Sequence, residues 1–254
     1  WIPCQARNDK TVGNRLFNEG VLVDDTGKVC KITAAGTAGV PSRQNARVGG
    51  VMKKLMIING SYRKAGDTAF LIDNFINGFR RSLPEADIEI ISLTDIRMEY
   101  CRGCWTCANP ENIKQPIGAC PIEDDVRPLL ENSLACDALV YATPVYEMGP
   151  SAVMKKFLER NLPVVGGIRL GFFGRTAGRT GKSGAVILSS GAPHPFNKLM
   201  GFTRYPRKLL SLFCRFHGCD KIHVLPAGGV GGDERMRRTW GRKAFLLGKK
   251  MAAD

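Results

Sequence analysis

The sequence predicts an α/β protein whose core is a doubly wound, five-stranded parallel sheet in the order 2-1-3-4-5. Two observations predict this class. From Met52 onward, short continuous apolar runs alternate with segments whose apolar residues recur at helical spacing. Continuous apolar runs are typical of strands buried on both faces, and strands that alternate with helices indicate parallel βαβ units. In such a sheet, ligands bind at the carboxyl ends of the strands.

The individual elements follow in chain order from these two patterns. The apolar runs predict five strands, which are Leu55–Asn59, Ile88–Ser92, Ala138–Ala142, Ala185–Ser189 and Lys221–Leu225. The helical spacings predict five helices, which are Thr68–Ser82, Asp124–Ala135, Ser151–Arg160, Leu199–Phe216 and Asp233–Lys250. The first helix is expected to end before Pro84, because a proline inside a helix removes a hydrogen bond and clashes with the preceding turn.

The first 51 residues differ in composition from the rest and are predicted to be a polar N-terminal extension of a domain at 52–254. Residues 21–33 carry two β-rich runs around an Asp-Thr-Gly turn, a pattern that predicts a small hairpin. Residues 34–50 are typical of a linker, and Met52 resembles the natural start of a domain. An appended segment and a misassigned start are both compatible with this pattern.

Composition limits the classes of function. The chain has 254 residues, 44% of them apolar, and no uninterrupted apolar run long enough for a membrane helix. Because its beginning lacks the basic start and apolar run of a secretory signal, we expect a cytoplasmic protein without a membrane span. The net charge of +14 favours anionic ligands or partners, but the arginines lack the interleaved aromatics of a nucleic-acid surface, so no nucleic acid is predicted.

A phosphate-binding loop is predicted at Asn59–Thr68, NGSYRKAGDT, where a buried strand turns into a helix. A helix N-terminus presents free N–H groups and a partial positive charge, and both favour an anion. Two glycines let the backbone curl, and three side chains supply hydroxyls and a charge: Ser61, Arg63 and Thr68. The loop lacks the dinucleotide and P-loop patterns, so it favours a phosphate monoester. An ordinary capped turn is the alternative.

A second stretch, Ala142–Arg160, follows the third strand at the same predicted edge. Its Thr143–Tyr146 segment offers backbone amides, a rigid proline turn and an aromatic face, which together suit a flat ring with polar edges. A plain strand-to-helix connection is the alternative. The three histidines are scattered and pair with no acid at catalytic or metal spacing, so no catalytic side chain is predicted.

Four cysteines lie within twenty residues, at Cys101, Cys104, Cys107 and Cys120. The first three are spaced C-x2-C-x2-C, which lets a turn aim several sulfurs at one metal. Four thiolates suit a [4Fe–4S] cluster, and a tetrahedral zinc ion fits the same ligands. Free thiols in a reducing compartment are the third possibility, and the sequence leaves all three open.

Three motifs together resemble one known family. They are GSYRKAGDT, CRGCWTC…CPIEDD and TPVYEMGPSAVMKKFLER, in this order and at the predicted strand ends. The family is the NAD(P)H-dependent FMN reductases of the flavodoxin-like fold, in the branch that includes iron–sulfur flavoproteins and multimeric-flavodoxin-like quinone reductases. The resemblance covers about Met52 to Leu225. Iron–sulfur flavoproteins usually place the fourth cysteine only a few residues after the third, unlike Cys120 here.

The resemblance implies one non-covalent FMN per subunit, NAD(P)H as donor, and a quinone, flavin or similar acceptor. It also implies a homodimer or homotetramer. The implied FMN-binding residues are Ser61, Arg63 and Thr68 at the 5′-phosphate, Pro144, Val145 and Tyr146 along the ring, and Ser189, Ser190 and Gly191 closing the site. Glu147 stands where the family usually has an aromatic residue or glycine. The alternative is an electron carrier with FMN and a possible [4Fe–4S] cluster, serving a ferredoxin-like partner. A docking module without catalysis would not need the phosphate loop.

Overall fold

The computed structural model describes residues 21–23, 29–31, 54–109, 112, 117–165 and 180–254. The chain divides into two compact units, residues 1–48 and residues 49–254. In the first unit, Val21–Val23 pairs antiparallel with Val29–Lys31, and these are the two strands of the hairpin predicted within 21–33. The predicted turn between them and the linker at 34–50 lie outside the described residues. The domain boundary at Met52 therefore stays a prediction.

The second unit is built on a parallel sheet. Its strands are β1 (Lys54–Asn59), β2 (Asp87–Ser92), β3 (Ala138–Tyr146), β4 (Lys182–Ser190) and β5 (Cys219–Gly228). Their lateral order is β2-β1-β3-β4-β5, and all neighbouring pairs run parallel. The predicted doubly wound order 2-1-3-4-5 is confirmed. It places β1, β3 and β4 in the middle of the sheet, so their carboxyl ends lie side by side.

Helices cover both faces of this sheet. They are α1 (Asp67–Ser82), α2 (Val126–Ala135), α3 (Ala152–Glu159), α4 (Leu162–Val165), α5 (Phe196–Leu199), α6 (Arg204–Phe216) and α7 (Glu234–Ala253). On β1, Leu55 and Ile57 face the core shared with α1 and α7. Met56 and Ile58 face the core shared with α2, α3 and α6. All four side chains from Leu55 to Ile58 are thus buried, as a parallel strand covered on both faces requires.

The extent of one predicted helix is wrong. The sequence predicts a continuous helix at Leu199–Phe216, but α5 ends at Leu199 and α6 begins at Arg204. Between them, Gly201 has a φ of +75°, in the left-handed region that an α-helix does not use. The apolar spacing continues across the break, and so periodicity alone did not reveal it.

Helices α1 and α7 pack with their backbones in contact. A Cβ atom on Gly78 would lie 1.9 Å from the carbonyl oxygen of Phe245, and one on Gly248 would lie 2.0 Å from that of Phe75. Only glycine fits at both positions. None of the helices described by the structure is both long and apolar enough to cross a membrane.

Candidate functional site

The loop between β1 and α1 is fixed against the neighbouring strand and helix. The Gly60 amide donates to the carbonyl oxygen of Ala142 on β3, at 2.8 Å. The Ser151 hydroxyl, which also caps α3, donates to the Gly60 carbonyl at 2.6 Å. A Cβ atom at Gly60 would lie 2.9 Å from Cβ of Met154, so a glycine is required there. The loop therefore sits where the carboxyl ends of β1 and β3 meet.

The amino end of α1 opens onto this loop. Gly66 is its N-cap residue, and no side chain caps the first amides of the helix. Such amides carry a partial positive charge and need an acceptor, which an anion can supply. Ser61 is buried, and its hydroxyl oxygen accepts from the Arg63 amide at 3.2 Å. The Arg63 side chain is exposed, without an ion pair among the described residues.

The predicted phosphate loop and the end of β4 meet directly. The hydroxyls of Thr68 and Ser189 are buried and lie 2.8 Å apart, although 121 positions separate them in sequence. Ser190 has a different partner set: its hydroxyl donates to the Ala227 carbonyl at 3.2 Å and accepts from the Asn197 side chain at 3.2 Å. Ser190 therefore joins β4, β5 and α5, whereas the neighbouring Gly191 is exposed.

The segment predicted to turn at Thr143–Tyr146 is strand instead. β3 runs through Tyr146, and Pro144 opposite Ser189 is the last pair between β3 and β4. Pro144 has no backbone N–H to donate, and it lies at the position where the hydrogen-bond ladder between β3 and β4 ends. The chain reverses directly after Tyr146, at Glu147 and Met148, whose φ values are +44° and +61°. Both belong to the conformation that favours glycine, so this turn is strained.

Two residues of the site were missed by the sequence analysis. The Ser151 hydroxyl donates to the Gly60 carbonyl, and the Ser151 amide donates to the buried hydroxyl of Thr143 at 3.1 Å. Its position just before an apolar helix is an N-cap signal that would have identified it. The Tyr62 hydroxyl accepts from the Val153 amide at 2.9 Å, a contact that no local pattern indicates.

The cysteine loop follows β2 and has unequal thiols. Cys104 is exposed, and the Thr106 hydroxyl donates to its sulfur at 3.5 Å. Hydrogen bonds from Thr106 lower the pKa of the Cys104 thiol. Cys107 is buried, and burial, helped by the negative charge of a thiolate at Cys120, raises the pKa of its thiol to about 11.

A buried ion pair anchors the end of this loop. Arg160, just after α3, binds Asp124 through both guanidinium nitrogens, and both side chains are almost fully buried. Arg160 also donates to the Glu99 carbonyl at 2.9 Å and approaches the Cys120 sulfur at 3.8 Å. Despite the cost of burial, hydrogen bonds from Arg160 keep the pKa of the Asp124 carboxyl below its ordinary value. The loop is thus tied to α3 at its exit.

The four predicted metal ligands all belong to this loop. Within the described ranges, which include all four cysteines of the loop, no three Cys, His, Asp or Glu side chains lie close enough to hold a metal ion. A metal site at these four cysteines stays a prediction. An open apolar groove of about 470 Å³ runs beside Cys101 and Gly103, between α3, α4 and α6.

The arrangement at the ends of β1, β3 and β4 does fit a mononucleotide. It combines an uncapped helix N-terminus, a free cation at Arg63, buried hydroxyls, and the half-exposed ring of Tyr146. A doubly wound sheet with these features at its carboxyl edge defines a class of mononucleotide-binding α/β proteins.

The chain belongs to the NADPH-dependent FMN reductase family. The sequence model of that family matches residues 53–194, more than half of the chain. The match includes the phosphate loop, the cysteine loop and the ends of β3 and β4. The family predicted from the three motifs is confirmed.

Individual relatives agree with this membership. An iron–sulfur flavoprotein of Archaeoglobus fulgidus is 28% identical over 200 residues, covering 78% of this chain and 79% of that protein. An iron–sulfur flavoprotein of Methanocaldococcus jannaschii is 34% identical over 119 residues, covering 47% of this chain and 55% of that protein. The chain thus spans about half the length of the latter relative.

A solved structure confirms the flavodoxin-like fold. The NAD(P)H:quinone oxidoreductase of Methanothermobacter marburgensis superposes with a TM-score of 0.63 at 18% identity, covering 79% of this chain and 97% of that one. At this identity the similarity concerns the fold.

Proposed function

We propose that the protein is an FMN-dependent oxidoreductase that passes electrons from NAD(P)H to a quinone, a flavin or a similar small acceptor. The single observation that carries the proposal is the uncapped N-terminus of α1 beside Arg63, at the sheet edge where the family match lies. Membership of the FMN reductase family and the fold shared with a quinone oxidoreductase support the same function.

The residues of the site have distinct roles in this proposal. Ser61, Arg63, Thr68 and the first amides of α1 hold the 5′-phosphate, because they supply donors and positive charge. Pro144, Val145 and Tyr146 lie along the ring, and Ser189, Ser190 and Gly191 form the adjoining wall. Ser190 acts by fixing that wall, since its hydroxyl already bonds to β5 and α5.

The protein supplies binding and orientation, and it needs no acid or base of its own. Bound FMN would supply the hydride chemistry, accepting from NAD(P)H and passing electrons on. The buried hydroxyl pair of Thr68 and Ser189 holds α1 and β4 together beneath the phosphate position. The proposal includes a cytoplasmic location. It also includes a homodimer or homotetramer, and light scattering of the purified protein would measure that oligomeric state.

An electron carrier for a ferredoxin-like partner is the second candidate. It is favoured by the relatives named iron–sulfur flavoproteins. It requires a cluster at the four cysteines of the loop, whereas the reductase requires only the FMN site. The reductase is therefore the preferred function.

The first test is binding of FMN. We expect the purified protein to be yellow and to release FMN, not FAD, on heating. After removal of the flavin, Arg63→Ala should weaken FMN binding by about 1.5–3 kcal/mol, roughly 10- to 150-fold in Kd, because it deletes a charged hydrogen bond to the phosphate. Fluorescence titration measures this.

Lys64→Ala is the matched control. Lys64 neighbours Arg63, but its ammonium group pairs with Asp95 at 3.2 Å and both side chains are exposed. We expect its FMN affinity to stay within about twofold of the parent, since exposed pairs contribute little. A colourless protein that takes up no added FMN would refute the proposed function.

A further inference from the structure

We propose that residues 196–208, which form α5 and the first turns of α6, dock the protein on the surface of a bilayer that contains anionic phospholipids. We call these residues the docking patch. Two observations carry this inference: large apolar side chains of the patch are exposed, and exposed cations lie among them. Apolar side chains that enter the headgroup region, together with cations that face anionic headgroups, bind a protein to a membrane surface without a spanning helix.

The apolar part of the docking patch is on α5. The side chains of Phe196, Leu199 and Met200 are exposed to 55%, 80% and 51%. Their spacing of three and four residues places them on one face of the helical turn. Asn197 is fully buried instead, and its amide nitrogen donates to the Ser190 hydroxyl at 3.2 Å. The three apolar side chains therefore stand at the surface of a turn that is anchored to the sheet.

The charged part of the docking patch consists of four exposed cations. Lys198 belongs to α5, whereas Arg204, Arg207 and Lys208 share one side of α6, because they are spaced three and four residues apart. Tyr205, about half exposed, follows Arg204 in the same turn. Among the described residues, none of the four cations has an ion-pair partner. Their charges are therefore available to an external anion.

Charge complementarity selects an anionic bilayer as the occupant of the docking patch. The sequence contains no aspartate or glutamate between Glu159 and Asp220. A second copy of the chain that met this patch with its own would oppose cations to cations, which is unfavourable. A nucleic acid would neutralise the charge, but the aliphatic side chains of Leu199 and Met200 offer no ring on which a base could stack. A bilayer accommodates both, because acyl chains accept aliphatic side chains and anionic headgroups accept cations.

The docking patch lies beside the proposed FMN site. Asn197 of α5 bonds to Ser190, which belongs to the wall of that site, and a Cβ atom on Gly228 would lie 2.5 Å from the Asn197 amide nitrogen. Docking would therefore bring this edge of the sheet to the bilayer, where apolar quinones dissolve. That consequence for the acceptor rests on the proposed function. Binding to vesicles does not, since it is measured without donor or acceptor.

The test is co-sedimentation of the full chain with lipid vesicles. One preparation contains phosphatidylcholine alone, and the other contains phosphatidylcholine mixed with anionic phosphatidylserine. We expect the protein to pellet with the mixed vesicles and to stay in the supernatant with the neutral ones, because the cations need anionic headgroups. Added salt should weaken this binding, since it screens charges at an exposed surface.

Variants separate the charged part of the docking patch from its apolar part. Arg204→Gln combined with Lys208→Gln should lower partition onto the mixed vesicles about 30-fold, because two cations are lost from the headgroup surface. Leu199→Ala should lower it about tenfold, because the most exposed of the apolar side chains is truncated. Arg242→Gln combined with Leu246→Ala, at exposed positions of α7, is the matched control and should bind like the parent. Circular dichroism checks that every variant is folded.

Four results would overturn the inference. The first is parent protein that pellets with neither preparation, or equally with both. The second is patch variants that pellet as the parent does. The third is a Leu199→Ala protein whose oligomer dissociates in light scattering, which would make the patch a contact between copies of this chain. The fourth is parent protein that binds duplex DNA more tightly than the mixed vesicles. A colourless protein that still pellets with the mixed vesicles would refute the proposed function alone.

Discussion

At the scale of single residues, His217 shows how this core accommodates polar groups. Its Nε2 lies 2.7 Å from the Asn161 side-chain oxygen, and its Nδ1 lies 2.8 Å from the Ser133 hydroxyl. The Asn161 amide nitrogen donates elsewhere, to the Phe157 carbonyl, so the Asn161 oxygen accepts from Nε2. The Ser133 hydroxyl also donates to the Leu130 carbonyl, at 2.7 Å. Both ring nitrogens of this fully buried imidazole therefore have a polar partner.

The same residue gives a pH prediction. Burial, helped by the nearby charge of Lys182, lowers the pKa of His217 from 6.5 to about 3. Between these values the unfolded chain binds a proton that the native protein does not. The free energy of unfolding should therefore fall as pH decreases through this window, by up to about 1.4 kcal/mol per pH unit from this group. Urea denaturation from pH 7 to pH 4 measures it.

The control is His217→Gln, which keeps a polar side chain but does not titrate. The variant should be less stable at pH 7 and should lose less stability on acidification than the parent. The two proteins share their carboxylates, so the difference in slope isolates His217. Equal slopes would show that His217 titrates alike in the folded and unfolded states.

At the scale of elements, the contact between α1 and α7 depends on glycines. Glycine inside a helix ordinarily costs about 1 kcal/mol relative to alanine. At Gly78 and Gly248 glycine is favoured over alanine instead, because the missing Cβ atoms let one helix touch the backbone of the other. Closely packed backbones then bury Phe75 and Phe79 completely.

The prediction is that Gly248→Ala destabilises the protein despite its better helix propensity. The new methyl group would meet the Phe75 carbonyl oxygen at 2.0 Å, so the helices must separate. Overpacking of this kind costs about 1–3 kcal/mol or more. Thermal unfolding measures it, and Leu246→Ala, at a half-exposed position of α7, should be nearly neutral by comparison. A more stable Gly248→Ala would mean that the helices tolerate a wider separation.

At the scale of the whole molecule, the second unit contains every part of the proposed function. The family match begins at residue 53, next to the first residue of β1, and the unit at 49–254 holds the whole parallel sheet. The two hairpin strands belong to the other unit. The domain with its core and cofactor site is therefore expected to fold by itself.

We predict that a chain starting at Met52 folds and retains FMN at the same ratio as the full chain. Circular dichroism and the flavin-to-protein absorbance ratio check this. Full-length protein prepared in parallel is the reference for both measurements. An insoluble or flavin-free product would place the first 51 residues within the folded domain.

The sequence by itself determined the sheet, its order and the edge that carries the site. Buried parallel strands need continuous apolar runs, and the carboxyl ends of neighbouring strands must lie at one edge, so motifs after β1, β3 and β4 were bound to meet. The loop Asn59–Thr68 was located for this reason. Local patterns suffice for such features because the hydrophobic period is itself local.

Only the tertiary structure decided which side chains meet. Thr68 reaches Ser189 across 121 positions, and His217 reaches Ser133 across 84. The break at Gly201 and the strand through Tyr146 were decided in the same way, by packing and pairing with distant segments. The cysteine spacing permitted a cluster, but the position of each sulfur depends on what the loop packs against. Side-chain direction and contact between remote segments are set by the whole packed core, and no local period encodes them.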